Sequence, residues 1–154
     1  MSIEENEAIA FRFFQEVSNE GNLDLLDEIL SPDFIDHNPL PGAPPGPEGA
    51  KQFVAMMHTA FPDMHVTIED VIATEDKVVV RVTVGGTHLG FLGQKQNGMA
   101  DLSLPSEPSG KYATWTEIHI GRIANGKVVE HWYNVDVLGM VMQLGLIPSA
   151  VAVS

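Results

Sequence analysis

The sequence predicts an α+β domain in which helices cover one face of a curved, mostly antiparallel sheet. Three observations point there. Apolar residues recur at helical spacing as far as Pro62. From His65 onward the period becomes two. Near the C-terminus an Asn125-Gly126 turn joins two alternating runs, Trp115 to Ile120 and Val129 to Asp136, as a β-hairpin does.

Each element has its own signal. Ser2-x-x-Glu5 is a capping box, and Ile9, Phe13 and Val17 give the helix behind it an apolar face, with Ala10 and Phe14 beside them. Gly21 ends that helix; a second, short one runs from Asn22 to Pro32 with Leu26, Ile29 and Leu30 inward. Residues 33–37 read as a short strand. Pro39 to Pro47 holds five prolines and two glycines, a rigid loop. Pro47 suits the first turn of a third helix, whose buried stripe is Phe53, Val54, Met57 and Phe61. One strand follows through Val66, Ile68, Val71 and Ile72, and another from Val78 to Val84. There Gly85-Gly86 marks a bulge or a close approach. Phe91 to Gly110 reads as a long loop. Asp136 caps a last helix, Val137 to Leu144, ended by Gly145.

Composition narrows the function. A chain of 154 residues suits one domain with a real core, spanning 1–154. A net charge of −13, with 8 basic residues against 21 acidic ones, excludes the Lys/Arg patch that nucleic acid or an anionic membrane requires. No apolar run approaches the ~20 residues of a membrane span, the N-terminus is acidic, and there are no cysteines. A cytoplasmic protein with a neutral, small hydrophobic organic ligand is the expectation.

The hairpin holds the chemistry. With a two-residue turn, Ile123 pairs with Val128 and His119 faces Trp132. With a three-residue loop, Ala124 to Gly126, Ile123 pairs with Lys127, His119 faces His131 and Glu117 faces Tyr133. The second register is favoured, because it gathers Glu117, His119, His131 and Tyr133 on one face and leaves Ile118, Ile120 and Trp132 on the other. The first face suits acid/base catalysis on a carbonyl compound: Glu117 as base, or His119 in its place, with Tyr133 and His131 as donors. The second face is too apolar for water and suggests a homodimer. His37, His88, His119 and His131 lie on different elements without a close ligand pair, so no metal is expected.

Phe34-Ile35-Asp36-His37-Asn38-Pro39, Gly86-Thr87-His88-Leu89-Gly90, Arg122-Ile123 before Asn125-Gly126-Lys127, Glu130-His131-Trp132 and Gln143-Leu144-Gly145 follow one another along the chain. In this order they resemble the SnoaL-like polyketide (ester) cyclases of the nuclear transport factor 2-like superfamily. The resemblance implies a cone-shaped α+β barrel, a deep apolar pocket, usually a dimer, and ring closure by intramolecular aldol condensation without a cofactor. It retains two histidines of the family at His119 and His88, and makes His37, His88 and Trp115 candidate substrate contacts. The family's catalytic aspartate falls at Tyr133, and a second aspartate at Asp136. The loop from Gly93 to Lys111, longer than in compact members, is a candidate lid or subunit contact. Two functions follow: an enzyme of cyclase, isomerase or dehydratase type, or a small-molecule-binding protein that kept the pocket and lost the acid.

Overall fold

The computed structural model describes residues 2–92 and 107–147. Helix α1, Ile3–Arg12, begins on the expected capping box: the Glu5 amide donates to Ser2 Oγ at 3.0 Å and the Ser2 amide to Glu5 Oε2 at 3.3 Å. The chain then widens into a π-helical stretch, Phe13–Asn19, where the sequence suggested an unbroken α-helix. This turns adjacent residues inward together: Phe13 and Phe14 face the core side, as do Val17 and Ser18. Asn19 ends the stretch against an edge strand, accepting from the Val66 amide at 2.6 Å and donating to the Val66 carbonyl at 3.0 Å. A 3-10 turn, Leu23–Leu25, and a single α turn, α2, Leu26–Ile29, follow.

Strand β1, Leu30–Asp36, starts before Pro32 rather than after it. Proline is tolerated because β1 is an edge strand. Helix α3, Pro47–Ala60, has its proline in the first turn and buries Val54, Met57 and Ala60, with Phe61 just beyond. Strands β2, His65–Ala73, β3, Lys77–Thr87, β4, Tyr112–Ala124, and β5, Lys127–Val135, complete one sheet. Its order is β1-β5-β4-β3-β2, with β1 parallel to β5 and the other pairs antiparallel. The sheet is mixed and open, so the closed barrel implied by the resemblance is not formed. Helix α4, Val137–Gln143, is capped by Asp136, whose Oδ1 accepts from the Gly139 amide at 2.9 Å.

Strand β3 runs straight through Gly85 and Gly86. The glycines mark close approaches: a Cβ on Gly86 would meet Phe61 at 2.9 Å, and one on Gly85 would run into the Tyr112 hydroxyl. The core between sheet and helices is built from Phe14, Met57, Phe61, Val78, Val80, Val82 and Val84 of β3, Trp115, Ile123 and the α4 residues Met140, Val141 and Leu144. No helix among the described residues is long and apolar enough to cross a membrane. The proposed lid lies mostly in residues 93–106, outside the described residues.

The hairpin differs from both registers expected of it. Asn125 and Gly126 both have positive φ, 52° and 78°, forming a two-residue turn that pairs Ala124 with Lys127 and Ile123 with Val128. One residue later β5 bulges, so Arg122 pairs with Glu130 and Val129 is the extra residue. Turn and bulge each displace the pairing by one. His119 therefore lies opposite Tyr133, rather than His131 or Trp132, and Glu117 lies opposite Val135. Two single displacements preserve side-chain parity, so the four polar residues still share a face.

Candidate active site

That face lines a cavity of about 130 Å³ beneath α1, the π-helical stretch and α3. Its walls are largely apolar, from Phe13, Phe14, Phe34, Phe53, Val80 and others, and Glu117, His119, His131, Tyr133 and Asp36 enter it from three strands. Gly121 stands opposite His131 on β4 and lines the cavity too. Having no side chain, it leaves space beside the imidazole; a Cβ there would find only Val128 Cγ1, at 3.6 Å.

The polar groups form a chain across the sheet. Trp115 Nε1–H donates to Glu117 Oε2 at 2.7 Å. Glu117 Oε1 lies 2.8 Å from His119 Nε2, and His119 Nδ1 lies 2.9 Å from His131 Nε2. His131 Nδ1 then faces Asp36 Oδ1 at 3.7 Å. Donor and acceptor rules give the tautomers. A carboxylate only accepts, so His119 carries its proton on Nε2; His119 Nδ1 is then an acceptor, so His131 carries its proton on Nε2. The lone pair of His131 Nδ1 is left facing Asp36, beyond hydrogen-bonding distance, as expected of two acceptors. The imidazoles of His119 and His131 and the Tyr133 ring stack on one another, with centroids 5.1 to 5.4 Å apart.

Burial acts on three groups of the site, His131, Asp36 and Tyr133. Desolvation pushes the His131 pKa below the ordinary histidine value, and neighbouring His119 adds to the effect while Asp36 opposes it. Burial also raises the Asp36 carboxyl, but the protonated form of the His131 ring, whose Nδ1–H points at it, and the Asn38 amide, which donates to Asp36 Oδ1 at 2.9 Å, outweigh it and hold Asp36 below the usual carboxylate range. Burial pushes the Tyr133 phenol well above its ordinary value, reinforced by Asp36 and Glu117, so it stays protonated. Its hydroxyl donates to the Asn38 carbonyl at 3.0 Å, and its amide to Asn38 Oδ1 at 2.9 Å.

The other sequence candidates lie elsewhere. His37 follows Asp36 on the chain, and alternation sends it to the opposite face of the sheet. There it stacks on Trp132 with ring centroids 4.7 Å apart and meets Glu130 Oε2 at 2.9 Å, while Arg122 holds Glu130 from the other side. His88 is fully buried beside Phe61, away from the cavity walls, and its Nδ1 accepts from the Ser109 amide at 3.1 Å. Burial lowers its pKa. Trp115 is buried behind Glu117 and reaches the cavity only through that carboxylate. Asp36, Gly121 and Ser18 are cavity residues that sequence reasoning did not select. Asp36 reaches the site because β1 pairs in parallel with β5, setting it beside His131.

An open α+β sheet under helices, with a cavity between the layers, is a nuclear transport factor 2-like fold. Within it, the chain belongs to the SnoaL-like polyketide cyclase family, whose sequence model matches residues 8–144. Among solved structures it is similar to TsrD from Streptomyces laurentii, with 26% identity, a TM-score of 0.80, and coverage of 96% of this chain and 99% of that one. A candidate SnoaL-like polyketide cyclase from Jannaschia sp. CCS1 is 27% identical, with a TM-score of 0.76 and coverage of 96% and 97%. A candidate polyketide cyclase from Bacillus cereus is 28% identical, with a TM-score of 0.75 and coverage of 94% and 83%. Comparison with curated proteins gave no match. Family membership supports a cofactor-independent, cyclase-type role.

Proposed function

We propose that this protein is an acid/base enzyme that takes a proton from carbon next to the carbonyl of a small hydrophobic, polyketide-like substrate and stabilises the resulting enolate for ring closure. The observation that carries this is the hydrogen-bonded chain from Glu117 through His119 to His131, which leaves the His131 Nδ1 lone pair without a donor, beside Asp36, at the wall of a largely apolar cavity. Both oxygens of Glu117 are already occupied by donors. The role of base therefore passes from Glu117 or His119 to His131 Nδ1. Glu117 and His119 hold its tautomer and, with Asp36, stabilise the imidazolium formed when it takes the proton. Tyr133, uncharged and at the cavity wall, is the donor for the enolate oxygen, exchanging the Asn38 carbonyl for the substrate's.

The pH profile tests the base. Protonated His131 has no lone pair to offer, so activity is lost on acidification through its folded-state pKa. Burial holds that value below the ordinary histidine value of about 6.5. The rate of α-proton exchange on a bound ketone is expected to stay flat from about pH 8 down past 6.5 and to fall only below it. An acid limb at or above 6.5 contradicts the assignment.

A binding protein without catalysis is the second reading, favoured by one observation: Tyr133 stands where the family's aspartate is expected and its proton is committed to Asn38.

The outer face of the sheet supports a dimer. Ile72, Val79, Ile120 and Trp132 align across β2, β3, β4 and β5 on one rung, and Ile72 and Ile118 are 60% and 48% exposed. A second copy covering this stripe removes it from water. Light scattering is expected to give twice the 16.7 kDa chain mass, and Ile72→Glu with Ile118→Lys to give the monomer. A wild-type monomer at micromolar concentration contradicts it.

A further inference from the structure

The inner cavity does not stand alone. A second chamber of about 280 Å³ lies between the proline-rich loop and the start of α3. Phe34, Asp36, Ala50, Phe53 and Tyr133 line both, so the two share a wall that contains part of the polar chain. At about 130 Å³ the inner cavity is below the roughly 300 Å³ at which ligand pockets usually begin. A substrate large enough to fold into a ring has to extend beyond it.

The outer chamber is built rather than incidental. Pro39, Pro44 and Pro45 stiffen its loop wall. The loop is tied to β5 by Tyr133, whose hydroxyl and amide both bond Asn38, and it closes on itself where the Ala43 amide meets the Leu40 carbonyl at 3.0 Å. Gly49 lets α3 lie against it, because a Cβ there would run into the Pro44 carbonyl. A wall fixed before binding reduces the ordering cost when a ligand arrives. Among the described residues that line it, Asp36 is the only one with a carboxyl side chain, and the remaining walls are largely apolar. Together with the net charge of −13 this disfavours an anionic occupant.

We infer that this chamber is a second subsite of the same pocket, taking the uncharged, apolar tail of a substrate whose carbonyl lies in the inner cavity. The substrate is then an elongated neutral ketone or ester with its reactive carbon part-way along its length, at the wall formed by Asp36 and Tyr133. This rests on the inner cavity being the carbonyl site, and the test separates the two.

Binding of neutral methyl ketones with alkyl tails of increasing length is measured calorimetrically on the full-length wild type, on Gly121→Val, which fills the inner cavity, and on Ala43→Trp and Leu40→Trp, which fill the outer chamber. In the wild type each added methylene is expected to tighten binding about fourfold, continuing past the length at which the inner cavity is full. In Ala43→Trp the gain stops at that length, while short ketones bind as in the wild type. Gly121→Val weakens every ketone by about tenfold or more. If the wild-type gain stops at the same tail length as in Ala43→Trp, the second subsite does not exist, although the inner site stands. If short ketones bind Gly121→Val as well as the wild type, the inner-site reading falls and this inference with it. Leu40→Trp repeats the outer-chamber test should Ala43→Trp not fold.

Discussion

Glu117→Gln is expected to lower proton transfer on a bound carbonyl compound by roughly a hundredfold or more, while leaving fold and ligand affinity intact. The reason is orientation, not lost volume. Trp115 Nε1–H donates to Glu117 Oε2, so in the variant the amide oxygen stays with Trp115 and the NH2 group turns to His119. A donor then faces His119 Nε2, which must become an acceptor. The His119 proton moves to Nδ1, and His131 Nε2 must accept it. His131 is left with its proton on Nδ1, where the lone pair was needed. One change from carboxylate to amide thus reverses the chain and silences a base two residues away in the network. Unchanged exchange rates in Glu117→Gln would remove the chain from the mechanism.

His119→Ala is expected to have an effect of similar size, for a related reason. It cuts the chain in the middle, so nothing selects the tautomer of His131 and nothing shares its charge once it takes the proton. It also removes the ring that stacks on Tyr133 and meets Phe14 edge to face, so some stability is lost and thermal melts must accompany the assay. The informative comparison is the double variant. Residues that act as one unit are not additive, so Glu117→Gln with His119→Ala should be no slower than the worse single variant. Multiplicative losses would mean that the two residues act separately.

How far the sequence carried these conclusions differs from element to element. The capping box at Ser2, Pro47 at the start of α3 and Asp136 before α4 are local chemistry, and all three hold. The polar face of the hairpin was legible by parity, although its register was not. An unforeseen bulge at Val129 added its displacement to that of the turn, and only the evenness of the sum kept Glu117, His119, His131 and Tyr133 together. Asp36 and His37 show the limit most clearly. Asp36 ends β1 and His37 follows it, so they point to opposite sides, but which one faces the cavity depends on the parallel pairing of β1 with β5, nearly a hundred residues apart. No local pattern encodes that. The π-helical stretch was hidden for another reason: Phe13-Phe14 and Val17-Ser18 keep an apolar face at ordinary helical spacing, and the widening that turns both pairs inward is set by packing over the sheet. His88 carried a family motif, but its burial beside Phe61 and its bond to Ser109 give it a place in the core rather than at the cavity wall.

The central claim is that a hydrogen-bonded chain beginning at Glu117 arms His131 as a base toward a bound carbonyl compound. The measurement that tests it most directly needs no knowledge of the natural substrate: hydrogen–deuterium exchange at the carbon next to the carbonyl of a saturably bound methyl ketone, followed by NMR in D2O. The wild type should accelerate exchange well above the buffer rate, and Glu117→Gln should bind the ketone equally well while losing roughly a hundredfold of that acceleration. A wild type that binds the ketone saturably yet leaves exchange at the buffer rate would contradict the account and make this a binding protein.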